Sequence, residues 1–417
     1  MLYEAWLKTV RLHRNDVALV EAGHRWTFAQ LADEAEKKAD LPVVVYPTGI
    51  SSRFIIEVLQ GWRNQRVVCP LDTEQTSLPP ISTPLPSGCV HLKTSSGSTG
   101  EPRFIAFTSE QLSADAENIV ATMGLRRDWP NVAAISIAHS YGFSNLVLPL
   151  LLHGIPVVLC PSRLPEAFRS ALETFENATV ADVPALWNIW HSANVITPRI
   201  KLAISAGAPL PVDLERAVFE SSGVKIHNFY GASECGGICY DRSEFPRISG
   251  QDVGSPMLNV AVDVNETGCL RVRSRAVGQG YWPNPYAALA KGSFQTTDRV
   301  EIRDGRVLLL GRDTDVINIA GQKVSPDSIE QALLKHPLVS ECVVFGVPAG
   351  DSARHETIAA CVATRGNLEA EELKQFLLKT IPPAQVPKHW KFVPSLADPH
   401  RGKISRFQWR QRFLAGQ

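Results

Sequence analysis

The chain's 417 residues are enough for about two or three domains with substantial cores. Lys plus Arg and Asp plus Glu balance at 42 each, so no basic excess marks a nucleic-acid binder. The eight cysteines include no C-x-x-C pair, which argues against a zinc ribbon or thioredoxin-like motif and for free thiols in a reducing cytoplasm.

Met1-Leu2-Tyr3-Glu4-Ala5 lacks a basic segment followed by an apolar run, so no signal peptide is expected. Thr27 is a candidate N-cap for an amphipathic helix over 28–39, and Pro42-Val43-Val44-Val45-Tyr46 reads as a buried strand. A second helical pattern covers 109–123. The longest apolar stretch, 143–160, is broken by Asn145, Pro149, His153, Gly154 and Pro156. A membrane span wants about 20 mostly apolar residues, so a buried helix followed by a buried strand at 156–160 explains the stretch better. A strand over 200–206 and a helix over 212–221 follow. The last part has its own cycle: helix 328–334, strands 342–346 and 358–362, helix 368–380 and an extended 390–393, as expected of a small α+β domain.

Ahead of the 109–123 helix lies Lys93-Thr94-Ser95-Ser96-Gly97-Ser98-Thr99-Gly100-Glu101-Pro102-Arg103. Glycine lets a backbone turn its N–H groups inward, and hydroxyls add donors without bulk, so the segment suits an anion such as phosphate. Set between strand-like and helical segments, its N–H groups would be free to receive one. Composition alone also fits a plain surface loop. The spacing matches neither the nucleotide loop ending in Gly-Lys-Ser/Thr nor G-x-G-x-x-G.

Further segments follow in order: Asn228-Phe229-Tyr230-Gly231-Ala232-Ser233-Glu234, Thr297-Asp298, Gly311-Arg312-Asp313, Gly321-Gln322-Lys323-Val324 and Arg401-Gly402-Lys403-Ile404-Ser405-Arg406. Together they resemble the adenylate-forming superfamily of acyl- and aryl-CoA synthetases, peptide-synthetase adenylation domains and luciferases. The resemblance spans nearly the whole chain, from Trp26-Thr27-Phe28-Ala29-Gln30-Leu31 through Gly268-Cys269-Leu270-Arg271-Val272 and Gly280-Tyr281-Trp282. It implies an α/β protein with a large multi-sheet N-terminal domain over 1–312 that binds ATP and acid, a hinge at 313–315, and a small mobile α+β domain over 316–417. Two departures bear on this. Thr314 stands where the family hinge commonly has Asp or Lys, and the segment between Leu71-Asp72 and the Ser/Gly loop is shorter than in relatives.

The chemistry implied is attack of a carboxylate on the α-phosphorus of ATP, giving an acyl-adenylate and pyrophosphate. Charge gathers on phosphoryl oxygens, so positioned cations and N–H donors do most of the catalysis. By resemblance, Ser95, Ser96, Gly97, Ser98, Thr99 and Gly100 cradle the phosphates, and Arg103 supplies the cation where relatives carry Lys. Glu234 is the carboxylate that holds Mg2+. Ala206, Gly207, Ala208 and Pro209 form the adenine slot with Tyr230, Gly231 and Ser233 beside it. Asp298 accepts from the ribose hydroxyls, Arg312 supports ribose and phosphate, and Lys403 meets the α-phosphate and the attacking carboxylate.

His139, Ser140, Tyr141 and Gly236 match the acyl-pocket wall, although His139 also reads as a core histidine. Amino-acid-activating relatives usually carry Asp at the position of Ser140. Its absence argues against an α-amino acid, because a buried ammonium needs a carboxylate partner, and leaves an aryl or medium-chain acid. Gly321 and Lys323 match the tunnel for an acceptor thiol, that of coenzyme A or of a carrier protein's phosphopantetheine arm acting in trans. A homodimer fits the family. From a different class, a non-catalytic adenylate- or acyl-binding relative is the alternative. No paired carboxylates or kinase-like loop favour a phosphotransferase.

Overall fold

The structure is a computed structural model that describes residues 1–72, 84–95, 103–290, 292–315, 317–319, 322–349, 352–396 and 404–416. Its largest sheet has nine strands. The parallel strands run, in spatial order, Ile226–Ala232, Ile200–Ser205, Ala178–Asp182, Asn131–Ala133, Val157–Leu159 and Val17–Glu21. Antiparallel Gly236–Tyr240, then Ser255–Pro256, close one edge, and His24–Thr27 closes the other. Interior strands such as ATVAD at 178–182 are buried along their whole length, as sheets covered on both faces require.

Strand order reverses between Asn131–Ala133 and Ala178–Asp182, because the chain first steps to Val157–Leu159 and then returns past Asn131–Ala133. Beyond the carboxyl ends of strands at such a switch point, an open α/β sheet leaves a crevice for ligand. The segment with His139 and Tyr141 follows one of the two strands, and Asp182 ends the other.

A five-stranded sheet holds Gly280–Trp282, Arg103–Phe107, His91–Ser95, Val67–Val68 and Val44–Val45 in that order. Here one sequence expectation changes. The Ser/Gly segment connects two antiparallel strands, with Ser95 opposite Arg103, and the helix Ser109–Met123 starts only after the second strand. The segment therefore does not open a helix, and the β-branched and aromatic run Phe104-Ile105-Ala106-Phe107 accounts for the extra strand. Another five-stranded sheet carries Ser293–Arg303 paired with Arg306–Arg312, and the C-terminal part builds a three-stranded sheet from Val339–Ala349, Ser352–Thr364 and His389–Phe392. One apolar cluster is shared by the nine-stranded and both five-stranded sheets, with Leu19, Phe107 and Val272 among its members, while the C-terminal part has its own around Ile329, Leu333, Val344, Val362 and Leu373.

The helix starts are legible in local chemistry. Thr27 accepts from Gln30 N and Gln30 Oε1 accepts from Thr27 N, a reciprocal cap that opens Phe28–Glu36. Thr108 and Gln111 repeat it for Ser109–Met123, which stops at Gly124 in the left-handed region. The apolar 143–160 stretch is a π-helical turn Phe143–Val147, a helix Leu148–His153 and a strand Val157–Leu159, all largely buried. The 368–380 helix is shorter than its pattern, spanning Ala370–Leu377. Among the described residues no helix is long and apolar enough to cross a membrane, and all eight cysteines are free thiols.

Candidate active site

At the switch point the main chain of Asp182 is the hub. Its carbonyl accepts from Ala206 N at 3.1 Å and from Tyr141 Oη at 3.4 Å, which joins the 206–209 turn to the segment after Asn131–Ala133. Gly207 takes a φ of 83°, a conformation that glycine adopts without strain. The Tyr141 ring packs on Phe229 with centroids 5.8 Å apart. The Asp182 side chain is fully buried, and its Oδ1 accepts from Val183 N at 2.8 Å. Its Oδ2 is buried with no hydrogen-bond partner among the described residues. Burial pushes this carboxyl up to about 8, against the opposing pull of the Val183 N–H and the Arg163 charge.

The nucleotide expectations converge on Asp298. Tyr230 Oη donates to its Oδ2 at 2.5 Å, and Arg312 Nε donates to its Oδ1 at 3.0 Å. Sheet register explains the second contact, because Asp298 and Arg312 face each other across antiparallel strands. Burial, then the Asp298 charge and its hydrogen bond, holds the Tyr230 phenol well above its ordinary range, so it stays a donor. The Asp298 side chain keeps 17% of its exposure and that of Arg312 keeps 62%, leaving the pair open to solvent on one side.

Glu234 sits in the turn between Ile226–Ala232 and Gly236–Tyr240. Tyr281 Oη donates to Glu234 Oε1 at 2.8 Å, and Gly278 N donates to the Glu234 carbonyl at 2.8 Å, fixing the turn against the 280–282 strand. The hairpin is close-packed. A Cβ on Gly231 would lie 2.7 Å from Gly236 O, and one on Gly236, whose φ is 70°, would lie 2.0 Å from Asp115 Oδ1.

Beneath the hairpin runs an ionic network that is buried at Lys225, Glu215, Asp241 and Arg247 and reaches solvent at Arg306. Lys225 Nζ bridges Glu215 at 2.5 Å and Asp241 at 2.8 Å, Arg247 Nε meets Glu215 at 2.9 Å, and Arg306 joins Asp241 at 3.0 Å to Asp252 at 2.7 Å. Burial opposes ionisation of Asp241, but Lys225, Ser243 and Arg306 together hold its carboxyl at about 2. The network ties the Tyr230 hairpin to the strand that ends in Arg312.

His139 is no core histidine. Its side chain is 42% exposed, and Nε2 lies 2.8 Å from Asp72 Oδ2. Ser140 opens the short helix Ser140–Gly142 that presents Tyr141. Cys235 and Cys239, which flank the hairpin turn, are buried, and burial raises both thiols far above reactivity at neutral pH. Ser96, Gly97, Ser98, Thr99, Gly100, Gly321 and Lys403 lie outside the described residues, and of Ser95, Arg103, Thr314 and Lys323 only the backbone is described. Asp72, Asp115, Asp182 and Tyr281 were not singled out by the sequence. Tyr281 stands within the Gly280-Tyr281-Trp282 marker, and Asp72 in the Leu71-Asp72 pair that bounds the shortened segment.

Comparison with known proteins bears directly on this arrangement. The AMP-binding enzyme family profile matches residues 57–282, and that of the AMP-binding enzyme C-terminal domain matches 328–403. Feruloyl-CoA synthase of an Amycolatopsis species is 28% identical over 364 residues, covering 82% of this chain and 73% of that protein. The 4-hydroxybenzoate–CoA/benzoate–CoA ligase of Rhodopseudomonas palustris is 27% identical over 372 residues, covering 83% and 68%. The crystal structure of ATP-bound MatB from the same species superposes with a TM-score of 0.85 at 20% identity, covering 99% of this chain and 98% of that one.

Proposed function

Since the chain belongs to the AMP-binding enzyme family and is an AMP-forming acid–thiol ligase, we propose that its acid is an aryl or medium-chain carboxylic acid and its acceptor the thiol of coenzyme A. The observation that carries the reading is Asp298 held between Tyr230 and Arg312, a partly open carboxylate with one aromatic donor and one cation. Such a group accepts from the two ribose hydroxyls of ATP, while the 206–209 turn and Tyr230 border the adenine.

Glu234 fits a magnesium ion, which is held by one or two carboxylates together with substrate phosphates. Tyr281 orients that carboxylate by donating to one of its oxygens. Bound there, the ion would neutralise phosphate charge. Asp182 is buried and carries a raised carboxyl, so it supplies no full charge near Tyr141 at neutral pH. This favours an uncharged acid over its α-amino counterpart. The aryl preference draws on the two relatives that act on feruloyl and benzoate groups. Lys403 is the cation of the adenylation step, Gly321 and Lys323 line the thiol path, and a hinge at 313–315 carries 316–417 between the two half-reactions.

Acid-dependent exchange of labelled pyrophosphate into ATP tests the reading across benzoate, cinnamate, octanoate and phenylalanine. Exchange with the plain acids, weak exchange with phenylalanine, and a roughly 100- to 1,000-fold loss in Lys403→Ala are expected, the range for one transition-state donor. Absence of exchange with benzoate, cinnamate and octanoate alike would overturn the aryl or medium-chain assignment. Preference for phosphopantetheine-loaded carrier over coenzyme A would reassign the acceptor.

A further inference from the structure

Lys93 breaks the apolar logic of its surroundings. It lies in the strand His91–Ser95, whose next residue in the chain is Ser96, yet it is only 3% exposed. A buried ammonium persists only where a countercharge and hydrogen bonds replace its water. Its Nζ lies 3.4 Å from Asp115 Oδ2, donates to Ser144 Oγ at 3.1 Å, and stands 4.6 Å from the centroid of the Phe107 ring. Ser144 Oγ donates in turn to Asp115 Oδ2 at 2.6 Å, and Gly237 N donates to Asp115 Oδ1 at 3.3 Å. Asp115 and Ser144 are as sealed as Lys93.

Three site-bearing segments therefore meet on one carboxylate of the helix Ser109–Met123. The first runs into the Ser96–Gly100 segment. The second is the π-helical turn Phe143–Val147 behind His139 and Tyr141, where the wider winding sets Ser144 against the pair. The third is the strand that begins at Gly236, just past Glu234. Its seat is tight, because Gly236 is left-handed and leaves no room for a Cβ beside Asp115 Oδ1.

We propose that Lys93 and Asp115 are positioning residues, a buried ion pair that holds the Glu234 turn and the 139–147 wall against the strand His91–Ser95. The proposal rests on the adenylation reading and deepens it. Ion pairs that touch no ligand can still govern rate, since a displacement of about 1 Å in a site costs on the order of 100-fold.

Lys93→Met keeps length and removes charge, Asp115→Asn keeps an acceptor for Gly237 N, and the double variant removes both charges at once. Lys93→Met alone strands a buried carboxylate, so its melting temperature should fall. The double variant should regain most of that loss yet keep a pyrophosphate exchange at least about tenfold below wild type, with KM raised for both MgATP and acid. Hydrogen exchange, read separately for 140–147 and 232–238, should show both segments less protected in the double variant. Wild-type KM values and wild-type protection in a stably folded double variant would reduce the pair to packing and overturn the proposal. If wild type shows no exchange with any acid, the adenylation reading fails, and the protection data still decide on the pair. Should the double variant not fold, the same comparison is made on Asp115→Asn.

Discussion

Asp182→Asn should stabilise the protein, and more so as pH rises. The carboxyl sits at about 8 in the fold against an ordinary 3.8, because it is fully buried and Oδ2 has no hydrogen-bond partner among the described residues. A folded value above the unfolded one means that this group's stability is intact below about pH 4 and is lost as pH rises towards 8. Each pH unit in that window removes about 1.4 kcal/mol, so wild type should lose roughly 3 kcal/mol from this residue between pH 5 and pH 7. Asparagine keeps the acceptor for Val183 N and cannot ionise. Its amide still lacks a full set of partners, so the gain at neutral pH should stay below about 4 kcal/mol. Chemical denaturation of both proteins at pH 5, 6, 7 and 8 reads the effect as a difference, in which other titrating groups cancel. A stability gap that stays flat across this range, or an asparagine variant weaker at pH 8, would refute the neutral buried carboxyl.

Glu234→Gln should raise the magnesium concentration for half-maximal exchange while leaving the melting temperature nearly unchanged, because the amide oxygen still accepts from Tyr281; an unaltered magnesium titration removes Glu234 from the metal site. Gly236→Ala should cost more stability than Gly223→Ala. Both positions are left-handed, at φ 70° and 71°, so each pays about 1–2 kcal/mol in the backbone, but only the first drives a Cβ into Asp115. Equal losses in thermal unfolding would show that the Asp115 contact yields without cost.

Local rules carried far into the structure. The two Thr-Gln caps and the apolar 143–160 stretch are legible because each depends on neighbours within a few residues. Tyr230, Asp298 and Arg312 were readable as motif members, but their mutual contact comes from sheet register and a separation of 68 residues between Tyr230 and Asp298. Lys93 stood inside the quoted Ser/Gly segment, and nothing local tells a solvated lysine from a buried one. Its partners Asp115 and Ser144 lie 22 and 51 residues away. From sequence the Ser/Gly segment reads as leading into a helix, because Phe104-Ile105-Ala106-Phe107 is short and a short apolar run does not declare its partner strand.

Exposure sorts the carboxylates around the Tyr230–Glu234 hairpin by task. Asp298 and Glu234, to which the proposed function gives ribose and magnesium, are partly open, as a group that trades water for a ligand must be. Asp115, Glu215 and Asp241 are sealed, and each is engaged by a buried cation and by further donors. A sealed pair cannot exchange partners without leaving a charge uncompensated, so it holds the backbone in one arrangement. Charge stabilisation in phosphoryl transfer needs that arrangement before the substrate arrives, since donors that reorganise during the reaction lose much of their value. Asp182 is sealed as well but has no cation within hydrogen-bonding distance among the described residues, and burial raises its carboxyl so that the neutral acid is favoured. The same side-chain chemistry thus takes two forms here: Asp115, Glu215 and Asp241 are each paired with a buried cation around the hairpin, whereas burial raises the Asp182 carboxyl at the switch point beside Tyr141.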